Sequence, residues 1–376
     1  MKRNSKIFPV CILSSIVLFF LIAICFNFNT TYKASDSQDA RIGNTYYSTI
    51  KEAFNAVKAG ETIILNKDVT LADSTYLLFD RKIAITFDLN GHNLIGNPPD
   101  NNPFIGSGVI VVRYAGSQIM FTDSSSTKTG RIYGNRDYGT YDKSSGVLIY
   151  EGGEGIFSGG TYEGTNSGVY ILTNGAATDS KATVYDGNFK GHKWHGMEVN
   201  GNGVLYIYGG NFTSEKSSAL KLRGADSVVY GGSFNGYANG CRIESDSNLE
   251  VYGGTFIGNN GNQAIDVTSG CNVTVYSGNF SDKSELEKYL ADGNTQLQQT
   301  PDGLWQVITS SYKVSFQTNG GKINSGEISE YIYGVETTLP TDVTKDGYHF
   351  VGWFEDSSLT GDFSTKISST DSGNKV

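Results

Sequence analysis

The sequence predicts an all-β chain dominated by a right-handed parallel β-helix, a solenoid closed at its ends by short helical caps. Three observations lead there. A six-residue phrase recurs with a period near 23 residues. A second apolar strand recurs in phase with it. Long apolar helical stripes are absent, while glycine (47) and tyrosine (23) are abundant, as in a chain of many short strands and turns.

The phrase begins as Phe157-Ser158-Gly159-Gly160-Thr161-Tyr162 and continues as Val184-Tyr185-Asp186-Gly187-Asn188-Phe189 and Ile207-Tyr208-Gly209-Gly210-Asn211-Phe212. Three more follow, at Val229–Phe234, Val251–Phe256 and Val275–Phe280. Their closing aromatics are separated by 27, 23, 22, 22 and 24 residues, the length of one solenoid coil. The in-phase strand carries the apolar pairs Val147/Ile149, Val169/Ile171, Met197/Val199, Leu220/Leu222, Cys241/Ile243 and Ile265/Val267. Alternation puts each pair on one face. Val184, Ile207, Val229, Val251 and Val275 point the same way. One coil cannot bury such a face alone, whereas coils stacked about 4.8 Å apart bury it continuously. The glycines after each tyrosine permit a sharp corner. Cys241 falls in a core slot and reads as a small buried apolar residue. Cys271 lies in another part of its coil, so no disulfide between the two is expected.

Flanking segments complete the organisation. Residues 1–28 read as a signal peptide or N-terminal membrane anchor, because Lys2, Arg3 and Lys6 precede an apolar run from Ile7 to Phe28. Retained, this segment is the membrane contact, with the remainder outside. Residues 29–44 are a linker and 45–308 the β-helix with its caps. In the N-terminal cap, Ile50, Ala53, Phe54 and Val57 follow helical spacing, with Ser48 expected to cap the helix and Gly60 to end it. Short strands are expected at Thr62–Leu65, Ile83–Leu89, Val109–Val112 and Ile119–Phe121, with a loop at Pro98, Pro99 and Pro103. At the far end, a helix over Ser284–Leu290 stopped by Gly293 precedes a hairpin of Thr295–Gln299 and Leu304–Ile308 around Pro301-Asp302-Gly303. After the short linker Thr309–Ser311, a module spans 312–376. It has expected strands at Val314-Ser315-Phe316 and Tyr348–Phe354 and a turn at Asn319-Gly320-Gly321.

Two resemblances follow from these residues. Val314–Gly321, Leu339-Pro340 and Gly347-Tyr348-His349-Phe350-Val351-Gly352-Trp353 resemble the Listeria–Bacteroides repeat, the internalin B-repeat-like module of bacterial surface proteins. The resemblance implies a small β-grasp-like domain of cell-envelope proteins. Its members close with a further aromatic strand, which is expected where this chain reaches Val376, so the module reads as incomplete. Tyr46–Ile308 resembles the pectin-lyase-like β-helices of such proteins, through Asp88-Leu89-Asn90-Gly91-His92 and the repeated Val-Tyr-Gly-Gly-x-Phe. That likeness implies a fold that hosts enzymes and adhesins alike.

Charge narrows the function. Removing Lys2, Arg3 and Lys6 takes the formal charge from −9 to −12, and no basic patch suits a nucleic acid. Three constellations are candidates for chemistry. His192 and His195 in Gly191–Gly196 have the residue type of a general acid or base, but the stretch reads as a solvent-facing turn without paired carboxylates or a third metal ligand. Neither a metal nor a cofactor is expected. Glu198, Lys221, Arg242 and Asp266, flanked by Asn200, Arg223 and Glu244, form an outward row on successive coils. A β-helix lyase uses a basic residue beside acidic groups on such a face, whereas a mixed-charge ladder needs only relief of like-charge stacking. No catalytic role is assigned to the row. Finally, Tyr185, Tyr208, Tyr230, Tyr252 and Tyr276 each follow an inward residue and point outward, about 4.8 Å apart. They are the candidate binding strip, a flat aromatic face for a surface polysaccharide or a host or bacterial surface protein. The sequence thus reads as an exported, cell-envelope-associated surface protein with a non-catalytic stalk or an adhesion and carbohydrate-binding surface. The alternative is a β-helix polysaccharide lyase or hydrolase.

Overall fold

Three strands per coil, each too short to stand alone, become stable by pairing with their equivalents in the next coil. In the computed structural model they form a parallel β-solenoid of about eight coils. The structure describes residues 37–98, 108–135, 144–173, 175, 178–291, 295–309, 311–332, 336–355, 358–359, 362–368, 371 and 374–376. The expected export segment, Pro99, Pro103 and Gly293 lie outside the described residues. Among the described residues no helix is long and apolar enough to cross a membrane.

One coil shows the construction. Val204–Ile207 pairs in parallel with Asp226–Val229, Asn211–Ser214 with Ser233–Gly236, and Leu220–Arg223 with Cys241–Glu244. The last strand belongs to an eight-stranded sheet running from Leu77–Phe79 to Ile265–Val267. The glycine pair at the corner serves two purposes. A Cβ on Gly209, Gly231 or Gly253 would sit 2.7, 2.8 or 2.5 Å from the tyrosine carbonyl oxygen of the preceding coil. The second glycine, Gly210, Gly232 or Gly254, has φ between +99° and +110°, a conformation that strains other residues. Asp186 takes the first position where the register with the preceding coil shifts.

Inside, the closing aromatics stack. Ring centroids are 4.6 Å apart for Phe189–Phe212, 4.7 Å for Phe212–Phe234, 4.5 Å for Phe234–Phe256 and 5.2 Å for Phe256–Phe280, with planes within 12°. Tyr162 extends the stack at 5.2 Å from Phe189. Its buried hydroxyl donates to the Gly159 carbonyl at 2.6 Å, which satisfies the one polar atom in the column. Cys241 occupies its core slot, and both Cys241 and Cys271 are free thiols.

Both ends are capped, with differences from expectation. The helix runs Ile50–Ala56, and its N-cap is Thr49 rather than Ser48. Thr49 and Glu52 form a reciprocal capping box at 3.3 and 3.1 Å. The helix stops before Gly60 because Arg81 takes its free carbonyls, donating to Asn55, Val57 and Phe54. Ala40–Ile42 lies antiparallel to both Thr45–Tyr47 and Thr62–Leu65, closing the first strand edge. At the other end, Trp305–Thr309 pairs antiparallel with Gly278–Phe280 and with Thr295–Gln299, the expected hairpin. The expected helix Ser284–Leu290 is a single 3₁₀ turn, Leu286–Tyr289. Glu285 before it is left-handed (φ 67°) and Leu290 after it is extended, so it cannot lengthen either way.

The C-terminal module consists of two-stranded antiparallel pieces: Ser311–Lys313 with Glu330–Ile332, Lys322–Ile323 with Val343–Thr344, and Thr337–Thr338 with Lys366–Ile367. The expected strand at Val314–Phe316 starts earlier, at Ser311, and Val314 keeps only a bridge to Lys375. Tyr348–Phe354 is not a strand. Gly352 (φ 150°) turns the backbone, Trp353 bridges Ser364 and packs against the module's core, and Tyr348 is exposed.

Truncating Phe234 to alanine leaves a ring-sized hole between Phe212 and Phe256. The expected cost is about 3–5 kcal/mol, read as a large fall in the urea midpoint. An unchanged midpoint would contradict the stacked core.

Candidate functional site

Alternation sends the residue after each inward valine or isoleucine outside. The structure brings all five candidate tyrosines into one column. Four of the backbone N–H groups reach the preceding coil: Tyr208 donates to Val184, Tyr230 to Ile207, Tyr252 to Val229 and Tyr276 to Val251, at 2.7–2.8 Å. Centroid separations are 5.2 Å for Tyr185–Tyr208, 4.9 Å for Tyr208–Tyr230, 5.3 Å for Tyr230–Tyr252 and 4.4 Å for Tyr252–Tyr276, with planes within 16°. Tyr185, Tyr208 and Tyr230 remain 46%, 47% and 41% exposed.

This column is not the flat face expected. Near-parallel rings at one coil spacing cover one another's faces, so the column shows solvent mainly ring edges and hydroxyls. Partial burial raises the Tyr208, Tyr230 and Tyr252 phenols above their usual range, with neighbouring tyrosines and, for Tyr230 and Tyr252, Glu250 adding to it. Those three phenols therefore hold their protons more tightly than free ones.

The charged row is also in register, Glu198↔Lys221↔Arg242↔Asp266. Lys221 and Arg242 lie side by side with like charge, so the signs do not simply alternate. Glu244 from the flanking row relieves them, at 3.5 Å from Lys221 and 2.5 Å from Arg242, and Asp266 takes Arg242 at 3.2 Å. Burial works to raise the Glu244 carboxyl, but Arg242 and Lys221 outweigh it and hold it low.

The histidine turn differs most from expectation. His195 is buried rather than solvent-facing. Its Nδ1 lies 3.0 Å from the Ser218 carbonyl, Ser218 Oγ donates to Asn239 Oδ1 at 3.4 Å, and Asn239 Nδ2 donates to the Gln263 carbonyl at 3.1 Å. A hydrogen-bonded file thus runs through successive turns. Burial pushes the His195 imidazole down to about 4. Paired carboxylates, not expected at this turn, arrive from the coils on either side. His192 Nε2 is 2.7 Å from Glu163 Oε1, and its Nδ1 is 3.0 Å from Glu215 Oε2. Lys190 meets Glu215 at 2.7 Å and Arg131 meets Glu163 at 2.9 Å. Lys190 and then His192 hold the Glu215 carboxyl down to about 2. Every member of this cluster has an opposite partner. Among the described residues, no three His, Cys, Asp or Glu side chains are arranged to hold a metal ion.

In the C-terminal module Tyr312, Val314, Tyr331, Leu339 and Ile367 form a small core. Trp353 packs on Phe316 at 4.5 Å and donates Nε1–H to the Pro340 carbonyl at 2.8 Å, which ties together the segments that carry the sequence resemblance. Residues 312–376 match the family model of the Listeria-Bacteroides repeat domain. Listeria-Bacteroides repeat domains occur in surface proteins, and a β-solenoid joined to one fits a surface-type protein. Neither a curated protein nor a solved structure matches the chain significantly.

The buried histidine yields a pH test. An imidazole held at about 4 when folded, against 6.5 as its reference, binds its proton less readily in the native state. Its contribution is whole above the reference value and is lost as pH falls towards 4, by up to about 3 kcal/mol. His195→Gln is expected to flatten the stability profile between pH 7 and 4.5 in denaturant titrations. A variant losing as much stability on acidification as the parent would contradict this.

Proposed function

We propose that the protein is an exported, cell-envelope-associated surface protein in which the solenoid is a stiff, non-catalytic scaffold. The observation that supports this best is the joining of an end-capped β-solenoid to a Listeria-Bacteroides repeat domain in one chain. About eight coils at roughly 4.8 Å give a rigid rod of about 40 Å. In this reading the basic and apolar start of the sequence is the export signal or anchor. It is also the membrane contact if it is retained. The partner is a surface polysaccharide or a host or bacterial surface protein. The lyase alternative is weakened by the fate of Arg242: the basic group it would use is engaged by Glu244 and Asp266.

Two measurements test this. Fusing Met1–Asn44 to a reporter active only outside the membrane is expected to give signal, and silence would remove the basis for export. The purified chain, incubated with pectic and other acidic polysaccharides and calcium, is expected to release no unsaturated product. Turnover abolished by Arg242→Ala would overturn the non-catalytic reading.

A further inference from the structure

A groove of about 420 Å³ crosses the outer face beside the strands Asn211–Ser214, Ser233–Gly236 and Thr255–Gly258. Its lining comes from two neighbouring rows. Lys190, Thr213 and Asn235 are register partners on successive coils. Glu215, Tyr237 and Asn259 follow the ends of those strands. Polar groups with different capacities therefore recur once per coil along the solenoid axis, about 4.8 Å apart.

Tyr237 differs from the five stacked tyrosines. It is 50% exposed, and among the described residues its ring has no aromatic neighbour and its hydroxyl no hydrogen bond. About half of its surface is therefore available to a ligand. Asn259 Nδ2 donates to Asn235 Oδ1 at 2.8 Å and to the Gly236 carbonyl at 2.6 Å. That leaves Asn235 Nδ2 as donor and Asn259 Oδ1 as acceptor, with no protein partner among the described residues. Lys190 and Glu215 pair at 2.7 Å, so the two charged residues of the described lining neutralise each other.

This chemistry selects a ligand class. An anionic chain would meet Glu215 and a cationic one Lys190, and either would have to break their pair. A peptide docking by strand addition would need an open edge, and Asn211–Ser214, Ser233–Gly236 and Thr255–Gly258 are each paired on both sides. An uncharged chain rich in hydroxyls meets donors, acceptors and one free aromatic face. Its ring C–H faces suit Tyr237 and its hydroxyls suit the amides. Tyr237 loses little conformational freedom on binding. We infer that this groove binds a linear, uncharged polysaccharide laid along the solenoid axis, with Tyr237 as its stacking platform and Asn235 and Asn259 as its hydrogen-bonding pair. This goes beyond the scaffold reading and does not depend on export.

Affinity electrophoresis tests it. The purified full chain, in a mild detergent for its apolar N-terminal segment, is run through gels containing hydroxyethylcellulose, mixed-linkage β-glucan, xylan or galactomannan. Parallel gels contain polygalacturonate. Retardation is expected in at least one uncharged polysaccharide. Tyr237→Ala should weaken it at least tenfold, and Tyr237→Phe should retain it. Because Tyr237 is exposed, its variants should melt with the parent. The inference is overturned by no retardation in any uncharged gel, by retardation in polygalacturonate alone, or by retardation insensitive to Tyr237→Ala.

Discussion

Adjacent coils are held one hydrogen-bonded strand apart, about 4.8 Å, and the repeated residues answer to that distance. Aromatic rings stack comfortably at nearly the same separation. One aromatic per coil therefore gives a continuous stacked column, Tyr162–Phe189–Phe212–Phe234–Phe256–Phe280 inside and Tyr185 to Tyr276 outside. The same distance forbids side chains at the corner. Gly209, Gly231 and Gly253 face the carbonyl of the coil before them closely enough that a methyl group would clash.

A regular ladder also decides what the surface offers. Once rings stack on rings, their faces are used internally, and a row of five tyrosines becomes a stiffening device with edges outward. Once Arg242 lies beside Lys221, Glu244 and Asp266 must attend to them. Side chains at positions where the ladder is broken are not used up in this way. Tyr237 follows this pattern: Glu215 and Asn259 stand at the matching place in the coils on either side, and its ring is half exposed.

The solenoid was legible because its period is written in the sequence by Val-Tyr-Gly-Gly-x-Phe and by pairs such as Leu220/Leu222, which alternate as a half-buried strand must. The turns were less legible. His192 meets Glu163 and Glu215 only because three coils stack, and no linear spacing signals that encounter. His195 occupies a position filled by Ser218 and Asn239 in later coils, a small-polar slot whose burial the turn's composition conceals. In the C-terminal module, the alternation of Tyr348–Phe354 resembled a strand, but Gly352 turns the backbone and only Trp353 of the segment packs against the small core. Thr49 displaced Ser48 as cap through its reach to Glu52, a difference of one residue that spacing alone does not resolve.

The central claim is that one coil is a modular unit set by register. Excising residues 213–234 removes one 22-residue period and brings Phe256 against Phe212, which Phe234 faced before. Excising one residue fewer reverses the alternation of every following strand residue up to the next turn. The account predicts that the first deletion unfolds in a single cooperative transition, with a denaturant slope reduced in proportion to the missing coil. It predicts that the second fails to fold or aggregates. Two deletions that behave alike, both folded or both not, would contradict it.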